Sequence, residues 1–274
     1  MTPEGLWIGA LCVATLVGAL VGSFLNVVAW RLPRGGSVVW PPSACPRCGH
    51  GVRPQHNVPV LGWLVLRGRC HDCASPISGR YPLVEAGCAA LWAVLFAGLV
   101  PGPEALLDGG LLLGFGLYAL YFSALLAISL IDADHFIVPD VISLPLVPLG
   151  IAAVAVLDRD GAFVVHLPEA VLGAALGFGV MWGIAEVGRL AFGKEAMGMG
   201  DVKLMAAVGA WQGAWPTLLL TIFAASLIGS VVGITGMLLS GGRKPPRIPF
   251  GPYLCGGALV SWLFGDALLA RWLI

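Results

Sequence analysis

Charge is what this chain lacks. Of its 274 residues, 11% are Asp, Glu, Lys or Arg, against 58% hydrophobic. Soluble domains carry roughly 25% charged residues, so a surface made from this sequence cannot all face water. The scarcity is organised: Ile8 to Trp30, Leu111 to Ile131 and Pro216 to Ser240 contain no charged residue, and a bilayer core needs about 20 such residues per helix. A basic amino-terminal region is missing as well, since Met1 to Trp7 hold Glu4 and no Lys or Arg. The first apolar run therefore reads as a retained span and not as a cleavable signal. No glycine-rich dinucleotide fingerprint follows a strand. Net charge is zero, and no nucleic-acid partner is expected.

The apolar runs predict an all-α polytopic membrane protein with about eight transmembrane helices, near 6–30, 83–100, 111–131, 141–157, 168–192, 202–215, 216–240 and 250–272. The sixth is short for a crossing, and Gln212 interrupts it; a single tilted helix from 202 to about 225 is the alternative. Basic residues collect on the cytoplasmic side of membrane proteins. Seven of the fifteen lie between 31 and 82 (Arg31, Arg34, Arg47, Arg53, Arg67, Arg69 and Arg80), which puts that loop inside and the N-terminus outside. Alternation then brings Arg189, Lys194, Lys203, Arg243, Lys244 and Arg247 inside too, leaving only Arg159 and Arg271 outside. Three divisions follow: a first helix over 1–30, a cytoplasmic loop over 31–82 and a membrane domain over 83–274. Gly18 and Gly22, Gly173 and Gly177, and Gly229 and Gly233 are small-residue pairs that permit close helix approach, though glycine is common enough here to give such spacings by chance. Asn26, alone in an apolar run, reads as interhelical hydrogen-bonding glue.

The cytoplasmic loop holds Cys45, Cys48, Cys70 and Cys73, two C-x2-C knuckles separated by twenty-one residues. Four thiolates so spaced suit tetrahedral zinc. In a reducing compartment metal binding is favoured over disulfides, and a closed four-cysteine set is structural, with no open position for water. His50 and His71 are nearby alternative ligands. Cys12, Cys88 and Cys255, in apolar runs, read as small core residues.

Two acidic motifs sit at span ends. Asp132 follows the uncharged run ending at Ile131, and Asp201 closes Gly198-Met-Gly200-Asp. Ionisable groups at membrane depth are costly and usually functional. Two carboxylates sharing a site cannot both ionise, so one can activate water while the other donates a proton to a carbonyl oxygen, as in aspartic peptidases. Gly198 and Gly200 leave room for a substrate backbone. The residues alone leave Asp134 and Asp140 open as partners in place of Asp132, and Asp201 and Asp140 open as simple helix caps.

GSFLNVVAWRLPR (22–34), the paired knuckles, RYPLVE (80–85), SLIDADHFIVPD (129–140), GKEAMGMGDVKL (193–204) and PFGPYL (249–254) together resemble the bacterial type IV prepilin peptidases. The resemblance runs from the first span to the last. It implies an aspartic endopeptidase of the bacterial inner membrane, in contact with lipid, which removes the basic leader of prepilins or pseudopilins after a glycine at the cytoplasmic face. It further implies methylation of the new N-terminus from S-adenosylmethionine, with Asp132 and Asp201 as the catalytic pair and the four cysteines as the zinc element. The sequence names no residue for the methyl donor; the 31–82 loop, as the sizeable soluble part, is expected to participate. A peptidase without methyl transfer is the alternative. A transporter using Asp132 and Asp201 for protons is disfavoured, because no repeat relates the halves and the carboxylates sit at span ends.

Overall fold

The computed structural model describes residues 2–158, 165–193, 197–240 and 248–272. The basic residues Arg159, Lys194, Arg243, Lys244 and Arg247 lie outside these. Among the described residues the chain is helical, with no strand beyond two isolated bridges, Ala44 with Gly51 and Arg69 with Pro76. The helices are α1 (Pro3–Arg31), α2 (Leu61–Val65), α3 (Arg80–Leu99), α4 (Gly109–His135), α5 (Asp140–Leu157), α6 (Leu167–Phe192), α7 (Met199–Gln212), α8 (Thr217–Leu239) and α9 (Gly251–Trp272). Local chemistry sets the ends. Thr2 caps α1 by accepting from the Gly5 amide, and Pro3 occupies the first turn, where its missing N–H costs nothing. The apolar runs predicted as spans fall on α1, α3, α4, α5, α6, α8 and α9, with the short sixth run on α7.

Six of these helices, α1, α3, α4, α5, α6 and α8, are long and apolar enough to cross a membrane by length and composition. The chain is a multi-pass membrane protein, and its exposed residues fit: Leu16, Leu20 and Phe24 on α1, and Leu227, Val231 and Leu238 on α8, are turned outward, as lipid allows and water does not. Eight crossings would require α7 and α9 in addition. At 14 residues, α7 is about 21 Å long, short of the ~30 Å hydrocarbon core. It is separate from α8, not one tilted helix: it ends at Gly213, whose φ of +82° breaks it before Trp215 and Pro216.

The chain forms two compact units, Met1–Ala127 and Ile128–Ile274, the division falling within α4. In the first, α1 packs along α3. Gly18 and Gly22 make that seam possible, since a Cβ on Gly18 would lie 2.7 Å from Trp92 and one on Gly22 2.8 Å from the Glu85 backbone. Trp7 closes the far end by donating its indole N–H to the Val100 carbonyl at 2.7 Å.

In the second unit α7 is the core. Every residue from Leu204 to Gln212 is buried, and α7 packs chiefly against α6 and α5. Its alanines and glycines let the backbones close: a Cβ on Gly173 would strike the Gly209 carbonyl, and one on Gly177 the Met205 carbonyl. Gly229 and Gly233 are looser: a Cβ there would meet only side chains, the Tyr253 ring at 3.1 Å and Ile248 at 3.3 Å. Two of the three glycine pairs, Gly18 with Gly22 and Gly173 with Gly177, thus lie on tight helix seams. Two polar side chains lock α7 lengthwise: Trp211 donates to the Leu146 carbonyl at 2.8 Å, and Gln212 to the Ala258 carbonyl at 3.1 Å. In lipid, with no water to satisfy these donors, such bonds between helices are the available solution.

Candidate active site and candidate metal centre

Asp132 lies one turn before the end of α4, 5% exposed, with its carboxylate turned into the second unit. Asp134, two residues on and rotated by about 200° around the helix, is exposed. Asp201 lies in the first turn of α7, half-buried. It is not a cap: that position belongs to Gly198, and no side chain caps α7. The two carboxylates lie within range of each other's charge. Of the candidate acids, Asp132 and Asp201 therefore share one neighbourhood.

Neighbouring residues fix this geometry. The backbone amide of Gly251, at the start of α9, donates to Oδ2 of Asp132 at 2.9 Å in a buried contact. A helix N-terminus presents unpaired N–H groups and partial positive charge, so the bond holds an anionic carboxylate well. A Cβ at position 251 would sit 2.7 Å from Oδ2, so any side chain there would push the carboxylate aside. The four residues between α4 and α5 begin with Phe136 in the left-handed region (φ 57°), its amide closing α4 onto the Asp132 carbonyl. They then bring Val138 against Gly200, where a Cβ would lie 2.7 Å from the valine. Asp140 was expected as a cap for α5. It instead occupies the first helical position behind Pro139, and both its oxygens accept from Lys203 Nζ, at 2.8 and 2.9 Å. The fixed φ of Pro139 pre-sets the helix start, which frees the carboxylate for α7. Thus the 136–140 turn is pinned to the start of α7 on both sides of Asp201.

Gly200 serves close packing inside the protein, while Gly198 is exposed, with nothing but Asp201 Oδ2 and the Gly200 amide within 4 Å of a would-be Cβ. Sequence reasoning missed Gly251, Lys203 and Val138. Signals were present for two: Lys203 is a lone cation in an apolar helix, and Gly251 sits between Phe250 and Pro252 at a helix start.

The four cysteines of the first unit come together. Their sulfurs lie within 4.8 Å of one another, Cys45 and Cys73 at 3.8 Å. A tetrahedron with metal–sulfur bonds of ~2.3 Å has edges of about 3.8 Å, so the set fits a metal ion. His50 and His71 are not in the cluster. The knuckles share one local fold: the Gly49 amide returns to the Cys45 carbonyl and the Ala74 amide to the Cys70 carbonyl, each at 2.9 Å, with Gly49 and Ala74 left-handed. The Cys48 and Arg47 amides and the Ser75 hydroxyl pull Cys45 down to about 6. The His50 amide favours the Cys48 thiolate, but desolvation and three crowding thiols outweigh it and push Cys48 up to about 12. Four thiolates this close require a cation among them. Between the knuckles, α2 is tied down by Trp63, whose indole donates to the Ile77 carbonyl at 3.0 Å.

Two family models match the chain. Residues 16–99 match the family described as Bacterial Peptidase A24 N-terminal domain, and residues 119–234 the Type IV leader peptidase family. The chain is 39% identical to a prepilin leader peptidase/N-methyltransferase of Pseudomonas aeruginosa, over 94% of this chain and 91% of that protein. Proteins of the same name from Aeromonas hydrophila and Burkholderia pseudomallei are each 38% identical, over 94% and 93% of this chain and 91% and 85% of theirs. No solved structure matches the chain.

Proposed function

Since the chain belongs to the type IV leader peptidase family, we propose that it removes the basic leader of type IV prepilins or pseudopilins, cutting after a glycine, and then methylates the new N-terminus. Asp132 and Asp201 are the catalytic carboxylates. The observation that supports this most is their meeting in one unit, one at the end of α4 and one at the start of α7, each inside a motif of its own. In this reading the ionised carboxylate takes a proton from water, whose oxygen attacks the scissile carbonyl carbon. The protonated carboxyl donates to the carbonyl oxygen. Collapse of the tetrahedral adduct breaks the C–N bond, and the amine leaves with a proton. Gly251 holds Asp132 for this work, and the exposed, side-chain-free Gly198 admits the substrate backbone.

Zinc is the metal we assign to Cys45, Cys48, Cys70 and Cys73, in a structural role, because a fully thiolate tetrahedral set suits it. The charge pattern supports a bacterial inner-membrane location with the cysteine loop and both aspartates on the cytoplasmic side. S-adenosylmethionine is the donor for the second activity and supplies an electrophilic methyl group on a sulfonium. Residues 31–82 take part in that step, and 83–274 carry the peptidase.

The test is incubation of purified enzyme with a prepilin, alongside Asp132→Asn and Asp201→Asn variants. Cleavage should vanish in both variants, and mature product from the unaltered enzyme should gain one methyl mass only when S-adenosylmethionine is present. Cleavage retained by either variant overturns the carboxylate pair, and a product never methylated overturns the second activity.

A further inference from the structure

The first unit contains a cavity of about 1250 Å³ that borders the metal centre through Cys45 and Cys70 and extends well beyond it. It lies between α1, the start of α3 and the 38–78 segment, with Trp30, Arg31, Trp63, Tyr81 and Glu85 in its wall. Glu85 is the anomaly. It is a carboxylate only 9% exposed, its Oε2 accepting from the Val60 amide at 2.6 Å. Val60 holds φ 62° and ψ −54°, a conformation that a β-branched residue almost never adopts. Strain of this kind gathers at ligand sites, where surrounding structure holds a group in place for binding. A carboxylate has about four acceptor positions, and one amide uses only one of them.

The wall is built, not incidental. Gly22 lets α1 lie directly on the Glu85 backbone. The Trp63 indole is fixed by its bond to Ile77 and by Gly68, whose would-be Cβ lies 2.8 Å from the ring. Asn26 Nδ2 donates to the Tyr81 carbonyl at 3.3 Å, tying the first turn of α3 to α1. A buried carboxyl beside aromatic side chains, with Arg31, Arg47 and Arg53 in the same wall, suits a ligand that carries a cationic centre, a carboxylate, sugar hydroxyls and a flat heterocycle. Sites for one small molecule span roughly 300–1,000 Å³. This one is larger, leaving room for such a ligand beside a peptide N-terminus, and transfer between the two requires that they share one space.

Resting on the methyl transfer proposed above, we propose that this cavity binds S-adenosylmethionine, with Glu85 as its anionic contact and the fixed Trp63 ring in its wall. The donor is thereby held without a glycine-rich fingerprint, between a membrane helix and a metal-stapled loop.

Ultraviolet cross-linking of radiolabelled S-adenosylmethionine to the full-length enzyme in detergent, followed by peptide mapping, tests this. Label should fall on peptides from residues 20–85 and be displaced by excess S-adenosylhomocysteine. Label confined to 128–274, or displaced by phospholipid and not by S-adenosylhomocysteine, overturns the proposal. Calorimetric titration with S-adenosylmethionine should show Glu85→Gln binding at least about tenfold more weakly, the scale of one charge-assisted hydrogen bond. Equal binding in Glu85→Gln overturns the role of Glu85. If the wild-type enzyme methylates its product while the label maps elsewhere, this inference fails and the proposed function stands. If no methylation occurs at all, the function fails first.

Discussion

The Gly251 amide reaches Oδ2 of Asp132 across 119 residues of chain, at 2.9 Å. The bond sets the rotamer of a proposed catalytic carboxylate from the end of a different helix. Replacing Gly251 by Ala would place a methyl group 2.7 Å from that oxygen, and the easier response is for the short aspartate side chain to move. Displacement of a reacting group by about 1 Å can cost roughly 100-fold in rate. Gly251→Ala should therefore lower kcat for prepilin cleavage by about that factor with little change in KM. A variant within threefold of wild type would separate Gly251 from the chemistry.

The ion pair between Lys203 and Asp140 leads to a different expectation. Its side chains are 26% and 55% exposed, and pairs so open to solvent are worth about 0–1 kcal/mol. Thermal stability should hardly change in Lys203→Met. Cleavage should fall about tenfold, because the pair holds the 136–140 turn against the start of α7, where Asp201 resides. Exchanging the charges, Lys203→Asp with Asp140→Lys, should recover more activity than either single change leaves. Additive losses in the double variant would mean the pair has no positioning role.

Metal removal should separate the two activities. Cys45 and Cys70 contribute to the wall of the Glu85 cavity as well as to the sulfur cluster. Loops with little core of their own take folding energy from a bound metal. Cys45→Ser with Cys48→Ser should abolish bound zinc and methyl transfer while leaving measurable cleavage, which depends on groups in 128–274. Zinc content equal to wild type would overturn the four-cysteine assignment, and cleavage lost in parallel with methylation would overturn the separation.

The helices and the acidic motifs were legible in the sequence for one physical reason: lipid tolerates few charges, so each one present is informative. The runs ending at Ile131 and beginning at Val202 gave the positions of Asp132 and Asp201. The choice between Asp132 and Asp134 was not legible from residue spacing. It depends on which face of α4 meets α9, a tertiary fact, and a residue two positions along a helix turns to the other side. Spacing alone could not separate the glycine pairs from chance: Gly18 with Gly22 and Gly173 with Gly177 are tight seams and Gly229 with Gly233 is not, because only the partner helix reveals whether a Cβ would collide. Gly251 and Val60 act through backbone amides, and no side-chain pattern announces an amide that serves a carboxylate from far along the chain.

Away from these sites, Asp158 and His166 close the ends of α5 and α6. His166 Nδ1 meets Asp158 Oδ1 at 2.7 Å, and the Leu167 amide donates to Oδ2 at 3.2 Å. The hydrogen bond from His166 holds the Asp158 carboxyl below its ordinary 3.8. The same bond, with the carboxylate's charge, lifts His166 above its ordinary 6.5. A raised histidine contributes fully below its unfolded value, and that contribution is lost as pH rises through the folded one; a lowered aspartate contributes above its unfolded value and fades as pH falls through the folded one. The clasp is thus strongest between about pH 4 and 6.5 and weakens at alkaline pH. Melting of wild type against His166→Ala should show the largest Tm difference near pH 5.5 and a smaller one by about pH 9. Asp158→Ala removes the bond to Leu167 as well, so its deficit should persist at alkaline pH. A His166→Ala difference that stays flat across that range would mean the imidazolium does not hold these helices together.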